Sequence, residues 1–238
     1  MTEYSLYIES GPKHKKTMVH VLGLLGCIAQ GPTTEEALQA TPEAIRLFLG
    51  FLKSHGEKVK PEADFTTKIA VHITEGSWIG QGDPPSGFEP DFQPMSEADL
   101  RVTLQHLEWL QKDFIQTIHD IPRKKMSAKP ETGRTIHEIA EHVSESHGAY
   151  LRYLTGKVDG VSEALKAVRE EGPDALSATL SDLWQLTNAR LKILTAKERT
   201  AKILHGQLIW TARRCMRRML EHNWEHSQEI AKRLDQHS

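Results

Sequence analysis

His222 and His226 stand four residues apart in the segment WTARRCMRRMLEHNWEHSQEI, residues 210–230. On a helix of 3.6 residues per turn their side chains project within about 40° of one another, close enough to share one metal ion. Such a pair needs a third ligand from elsewhere. His142 is the candidate, because it sits at the edge of the apolar stripe made by Ile136, Ile139 and Val143. Three neutral imidazoles with further coordination positions open make a site of catalytic type, where an ion lowers the pKa of bound water or polarises a carbonyl. Zinc, nickel and iron(II) all accept imidazole, so ligand type leaves the divalent metal undecided. Spacing alone also leaves a bland reading standing, since a chain with 13 histidines puts two of them four apart by chance.

Other chemistry-bearing residues share that helix. Cys215 and Arg218 precede His222 by seven and four residues, so both project within about 40° of it and are candidates to line a pocket. Arg218 suits a carboxylate or a thiolate-bearing substrate. Against this, Arg213, Arg214, Arg217 and Arg218 together read as a solvated helix face, and Cys215 as a small packed residue. Glu225, next to His226, is the candidate general base or ligand-orienting carboxylate, with an ordinary solvated glutamate as its alternative. The string His222-Asn-Trp-Glu225-His226 matches the H-x-x-E-H of inverted zinc peptidases, but only 12 residues follow His226, too few for their downstream third ligand. His147 falls in the middle of an apolar face and reads as a core histidine.

Helices must carry these residues. Ser96 with Asp99 opens an apolar-periodic segment that ends before Pro122, and Thr135 with Glu138 forms a capping box ahead of the segment bearing His142. Two further helices are expected at about 174–196 and 212–234, the latter with Thr211 as N-cap. Four helices with no strand between them predict an all-α four-helix bundle over 97–238. The first 75 residues differ in character. Apolar, β-branched runs at 4–8 and 18–28 flank a turn at Ser10-Gly11-Pro12, and a helix follows, with Thr33 and Glu36 as its capping box. Pro42 is expected to begin a second helical segment capped by Thr41, and 68–74 alternates like a half-buried strand. This is a β-β-α-β unit of the α+β class. Residues 76–96, rich in Gly and Pro, read as a linker that Trp78, Phe88 and Phe92 can pin to a domain surface.

Composition narrows the functional classes. With 30 basic and 32 acidic residues the net charge is −2, which argues against a protein that coats nucleic acid. No stretch approaches the roughly 20 apolar residues of a membrane span. Two cysteines, Cys27 and Cys215, exclude a thiolate-rich zinc site, so a metal must be held by histidine. The start has no leader-like apolar core, and the expected location is the cytoplasm.

Segments 133–154 (GRTIHEIAEHVSESHGAYLRYL) and 210–230 resemble the DinB/YfiT-like four-helix proteins. That resemblance implies one metal-binding histidine on the second helix and a His-x-x-x-His pair on the fourth, which here are His142, His222 and His226. It also implies a hydrolase or thiol-dependent transferase acting on a small molecule, and a homodimer. The run 22–59 is similar to HicB-type domains, through LGLLGC, the Gln30-Gly31 turn and the Thr-x-Glu-Glu-Ala helix start, although Leu25 replaces their usual proline. HicB resemblance implies a protein partner, a small RNA-cleaving toxin in that family. The sequence therefore predicts a metal-dependent enzyme with an accessory interaction domain. Its alternative is a non-catalytic, antitoxin-like binding protein whose bundle is a scaffold.

Overall fold

The computed structural model describes residues 1–11, 16–76, 78–82 and 87–235. The chain divides into two compact units, residues 1–93 with 204–209, and residues 94–203 with 210–238.

In the first unit, strands β1 (Thr2–Ser10), β2 (Thr17–Val21), β3 (Ile28–Gly31) and β4 (Phe65–Ile73) form one mixed sheet in the order β3-β2-β1-β4. β1 pairs antiparallel with β2 and β2 with β3, whereas β4 joins β1 in parallel. A parallel neighbour requires a crossover, and helix α1 (Thr34–Ser54) supplies it. Ala37, Ile45, Phe48 and Leu52 of α1 join Leu6, Ile8, Val19 and Val21 in the core.

Three expectations for this unit are corrected. The run 18–28 is two strands, because 22–27 folds as a turn in which Val21 donates to the Cys27 carbonyl and Gly26 takes φ 106°, a value that favours glycine. The order is thus β-β-β-α-β. Pro42 lies inside one continuous helix, where the Thr41 hydroxyl donates to the Ala37 carbonyl at 2.8 Å instead of capping a new segment. Finally, β4 is an edge strand with Ile69 50% and Val71 38% exposed, not half-buried, because α1 packs over β2 and β3. The turn expected at Ser10-Gly11-Pro12 runs into residues 12–15, which lie outside the described ones, as do Ser77 and 83–86 of the expected linker. Phe88 does pin that segment, its ring 5.1 Å from Tyr7 and 5.2 Å from His20; Trp78 is 61% exposed.

The second unit is mostly helical. Its long helices are α2 (Glu97–Asp120), α4 (Ile136–Thr155), α6 (Leu176–Lys192) and α8 (Ala212–Asp235), with shorter α3 (Arg123–Met126), α5 (Val161–Glu170) and α7 (Ala196–Thr200) between them. The expectation of no intervening strand over 97–238 is corrected by β5 (Ile203–His205) and β6 (Leu208–Trp210), a two-stranded sheet that follows α7 and precedes α8 in the chain and turns at Gly206, φ 61°; its residues 204–209 belong to the first unit. The expected caps form: Ser96 with Asp99 opens α2, Thr135 with Glu138 opens α4, and the Thr211 hydroxyl accepts from the Arg214 N–H at 3.1 Å. α2 packs on α6 and α8, and α4 packs on α8 and α6. Leu107, Phe114, Ile139, Val143, Leu183, Trp184, Met216 and Leu220 fill the space between them.

Candidate metal centre

α8 is buried on nearly every side from Thr211 to Trp224, so its polar side chains must find partners inside the protein. α4 lies against it. That packing brings His142 of α4 beside His222 and His226 of α8, with ring centroids 4.7 Å (142 to 222), 5.2 Å (142 to 226) and 4.6 Å (222 to 226) apart. One nitrogen from each ring lies within 4.8 Å of the others. The Nε2 atoms of His142 and His222 are 3.1 Å apart. Tetrahedral zinc at about 2.0–2.1 Å from each nitrogen would separate its ligands by roughly 3.4 Å, so this spacing fits one ion.

The protonation states fit as well. Burial, with help from Arg134 and His226, pushes the pKa of His142 down to about 4. Burial also holds His222 well below its ordinary value, assisted by His226 and Arg218. Both imidazoles are neutral near pH 7, the form that ligates a metal. The His222 Nδ1 is buried without a hydrogen-bond partner, whereas His226 Nδ1 lies 2.7 Å from Glu229 Oε2. Glu229 in turn meets Arg233. Although burial raises the Glu229 pKa, the hydrogen bond to His226 and the Arg233 charge hold it below the usual carboxylate range.

An aromatic and cationic wall adjoins the histidines. The Tyr150 ring is 6.4 Å from His222, and the Arg218 guanidinium lies 5.9 Å from the Tyr150 ring centre. Further along, Arg214 sits 4.5 Å from the Trp210 ring centre, and Tyr153 stacks on the same indole. The solvated reading of the arginine cluster is corrected, since Arg214, Arg217 and Arg218 are 2%, 1% and 8% exposed. Arg217 and Arg218 both donate to Glu221 Oε2, at 2.8 and 3.2 Å. Charges can be buried here because they are paired.

Of the other candidates, Cys215 is fully buried, its thiol 3.4 Å from the Tyr150 carbonyl. Glu225 is half-buried and stands outside the histidine cluster. His147 is in the core, 1% exposed, donating from Nε2 to the Met219 carbonyl at 3.1 Å. The sequence reading missed Glu229. Its signal was present as His-x-x-Glu, since a residue three after His226 shares its face and a residue one before it does not.

Residues 106–230, more than half of the chain, match the family described as the DinB superfamily. A 55-residue stretch in the N-terminal part is 44% identical to the UPF0150 protein Ta0767 of Thermoplasma acidophilum, covering 23% of this chain and 77% of that protein. No solved structure matches the chain significantly. The helical unit with its paired α4 and α8 is thus a member of a recognised family, and the chain belongs to the DinB superfamily.

Proposed function

We propose that the helical unit is a four-helix bundle of DinB/YfiT type that holds one divalent metal ion through His142, His222 and His226 and acts on a small molecule, as a hydrolase or thiol-dependent transferase. The observation that carries this reading is the convergence of three imidazole nitrogens within 4.8 Å, drawn from two helices. When bound, such an ion supplies Lewis acidity and an open position for a substrate oxygen or sulfur. This chain's own residues would do the rest. The neutral rings of His142 and His222 offer lone pairs without first losing a proton, Tyr150 closes one side against water, and Arg218 brings positive charge beside His222 for an anionic or thiolate substrate. The N-terminal unit, with its exposed β4 edge, fits an accessory interaction module for a protein partner or a second subunit.

Elemental analysis of protein purified without a histidine tag tests the proposal. Near-stoichiometric zinc, nickel or iron in the wild type, lowered in His142→Ala, His222→Ala and His226→Ala, is the expected result. Wild-type loading in all three variants would sink it, and absence of metal after reconstitution would move the search to binding partners of the N-terminal unit.

A further inference from the structure

His226 differs from the other two histidines in what stands behind its ring. Its Nδ1 is 2.7 Å from Glu229 Oε2, whereas His222 Nδ1 has no hydrogen-bond partner. An ionised carboxylate only accepts hydrogen bonds, so Nδ1 of His226 is the donor and carries the proton in this contact, which leaves Nε2 as the nitrogen able to offer a lone pair. Glu229 is itself held from the other side: the Arg233 guanidinium donates to its second oxygen and to the Arg134 carbonyl. Arg134 directly precedes Thr135, the N-cap of α4. One planar fork thus joins the end of α8, which carries two of the histidines, to the start of α4, which carries the third.

We propose that Glu229 is a positioning residue that fixes His226 as its Nδ1–H tautomer and turns Nε2 toward His142 and His222, with Arg233 clamping Glu229 in place. This rests on the three-histidine reading. It adds that the carboxylate raises the basicity of one ligand and places a negative charge next to a cation that three neutral imidazoles leave uncompensated. The chemistry recognised is that of a divalent cation bound through imidazole nitrogen. A lysine at 233 could not serve both acceptors in one plane, and a glutamate at 225 would point about 100° away from His226.

The test uses the full chain, metal-free and untagged. Long-range 1H–15N spectra read the His226 tautomer, assigned by its loss in His226→Asn, and competition titration with zinc reads affinity. In the wild type His226 should show the Nδ1–H tautomer. Glu229→Ala should mix the tautomers and weaken zinc binding about 10- to 100-fold. Glu229→Gln, whose amide oxygen still accepts from Nδ1–H, should keep the tautomer and recover part of the affinity. An Nε2–H tautomer in the wild type, or unchanged zinc affinity in Glu229→Ala, overturns the proposal. If Glu229→Ala does not fold, the wild-type tautomer decides. Zinc binding no tighter in the wild type than in His222→Ala would overturn the three-histidine reading, and the tautomer of the metal-free protein would still judge Glu229.

Discussion

The Nε2 atoms of His142 and His222 face each other at 3.1 Å although 80 residues of chain separate them. Neither helix brings them together alone. α4, with Ile139 and Val143 fully buried, packs against α8, whose Met216 and Leu220 are fully buried as well, and His147 of α4 reaches the Met219 carbonyl of α8. Without an ion, one ring donates to the other; with an ion, both present lone pairs. The site is thus built from residues that packing has already immobilised, which lowers the ordering entropy that ligation would otherwise meet.

Metal should therefore stabilise the folded state. At a free concentration 100-fold above the dissociation constant, a single site adds about 2.7 kcal/mol. For a protein of this size that raises the melting temperature of the helical unit by roughly 5–10 °C. Thermal unfolding with and without zinc, nickel or iron(II) reads the effect, and a chelator should reverse it. In His222→Ala the shift should vanish. An equal shift in that variant would place the ion elsewhere.

Acid should destabilise the protein through His147. Burial pushes its pKa from the ordinary 6.5 down to about 4. Between those values the unfolded chain binds a proton at this residue that the folded chain does not, so stability falls as pH drops through the window and is fully present above it. For this fully buried ring the loss is on the order of 3 kcal/mol. His142 and His222 act with the same sign. Denaturant titrations from pH 7 to pH 4.5 should show a slope that His147→Gln reduces by about 1.4 kcal/mol per pH unit. The glutamine amide in that variant can still donate to the Met219 carbonyl, which separates the titration from the loss of the hydrogen bond. Identical slopes in both proteins would show that His147 does not titrate differently on folding.

The parts of this fold legible in the sequence are those decided within a few residues. The capping pairs Ser96 with Asp99 and Thr135 with Glu138 are local, so the starts of α2 and α4 follow from the letters. The His222 and His226 pair is equally local. The break between β2 and β3 depends on Gly26 adopting a left-handed φ, one of several conformations open to that residue. Pro42 normally ends a helix, and here the burial of Ile45, Phe48 and Leu49 beyond it keeps α1 going. The arginines of α8 were illegible for a tertiary reason. A run of charges reads as solvated unless the sequence reveals that other helices surround it, and only the fold shows Arg217 reaching Glu221 in the interior.

Pro42 offers a test of that balance. It is exposed in the interior of α1, where it lacks the N–H that would reach the Leu38 carbonyl and where its ring crowds the preceding turn. Proline is about 3 kcal/mol less favourable than alanine inside a helix, offset by up to about 1 kcal/mol because it also restricts the unfolded chain. Pro42→Ala should raise the stability of the N-terminal unit by about 1–2 kcal/mol, read by denaturant titration. A loss of stability would mean that α1 needs the local geometry that Pro42 imposes.

Glu221 should be among the least replaceable residues of α8. Its carboxylate is 2% exposed and accepts from Arg217, itself 1% exposed, at 2.8 Å, and from Arg218 at 3.2 Å. Removing one partner of a buried pair leaves the opposite charge desolvated, at a cost on the order of 3 kcal/mol. Glu221→Ala should lose that much in denaturant titration. The double variant Arg217→Met with Glu221→Leu should lose less than Glu221→Ala, because it removes the more buried guanidinium together with the carboxylate and leaves only Arg218 without that acceptor, where Glu221→Ala leaves both arginines without it. Since Arg218 shares Glu221 and lies over Tyr150 beside His222, the single variant should also loosen the wall of the metal centre. Zinc affinity measured on the folded fraction should then fall in Glu221→Ala. A folded Glu221→Ala with wild-type stability would show that solvent reaches the pair and that its burial does not decide the stability of α8.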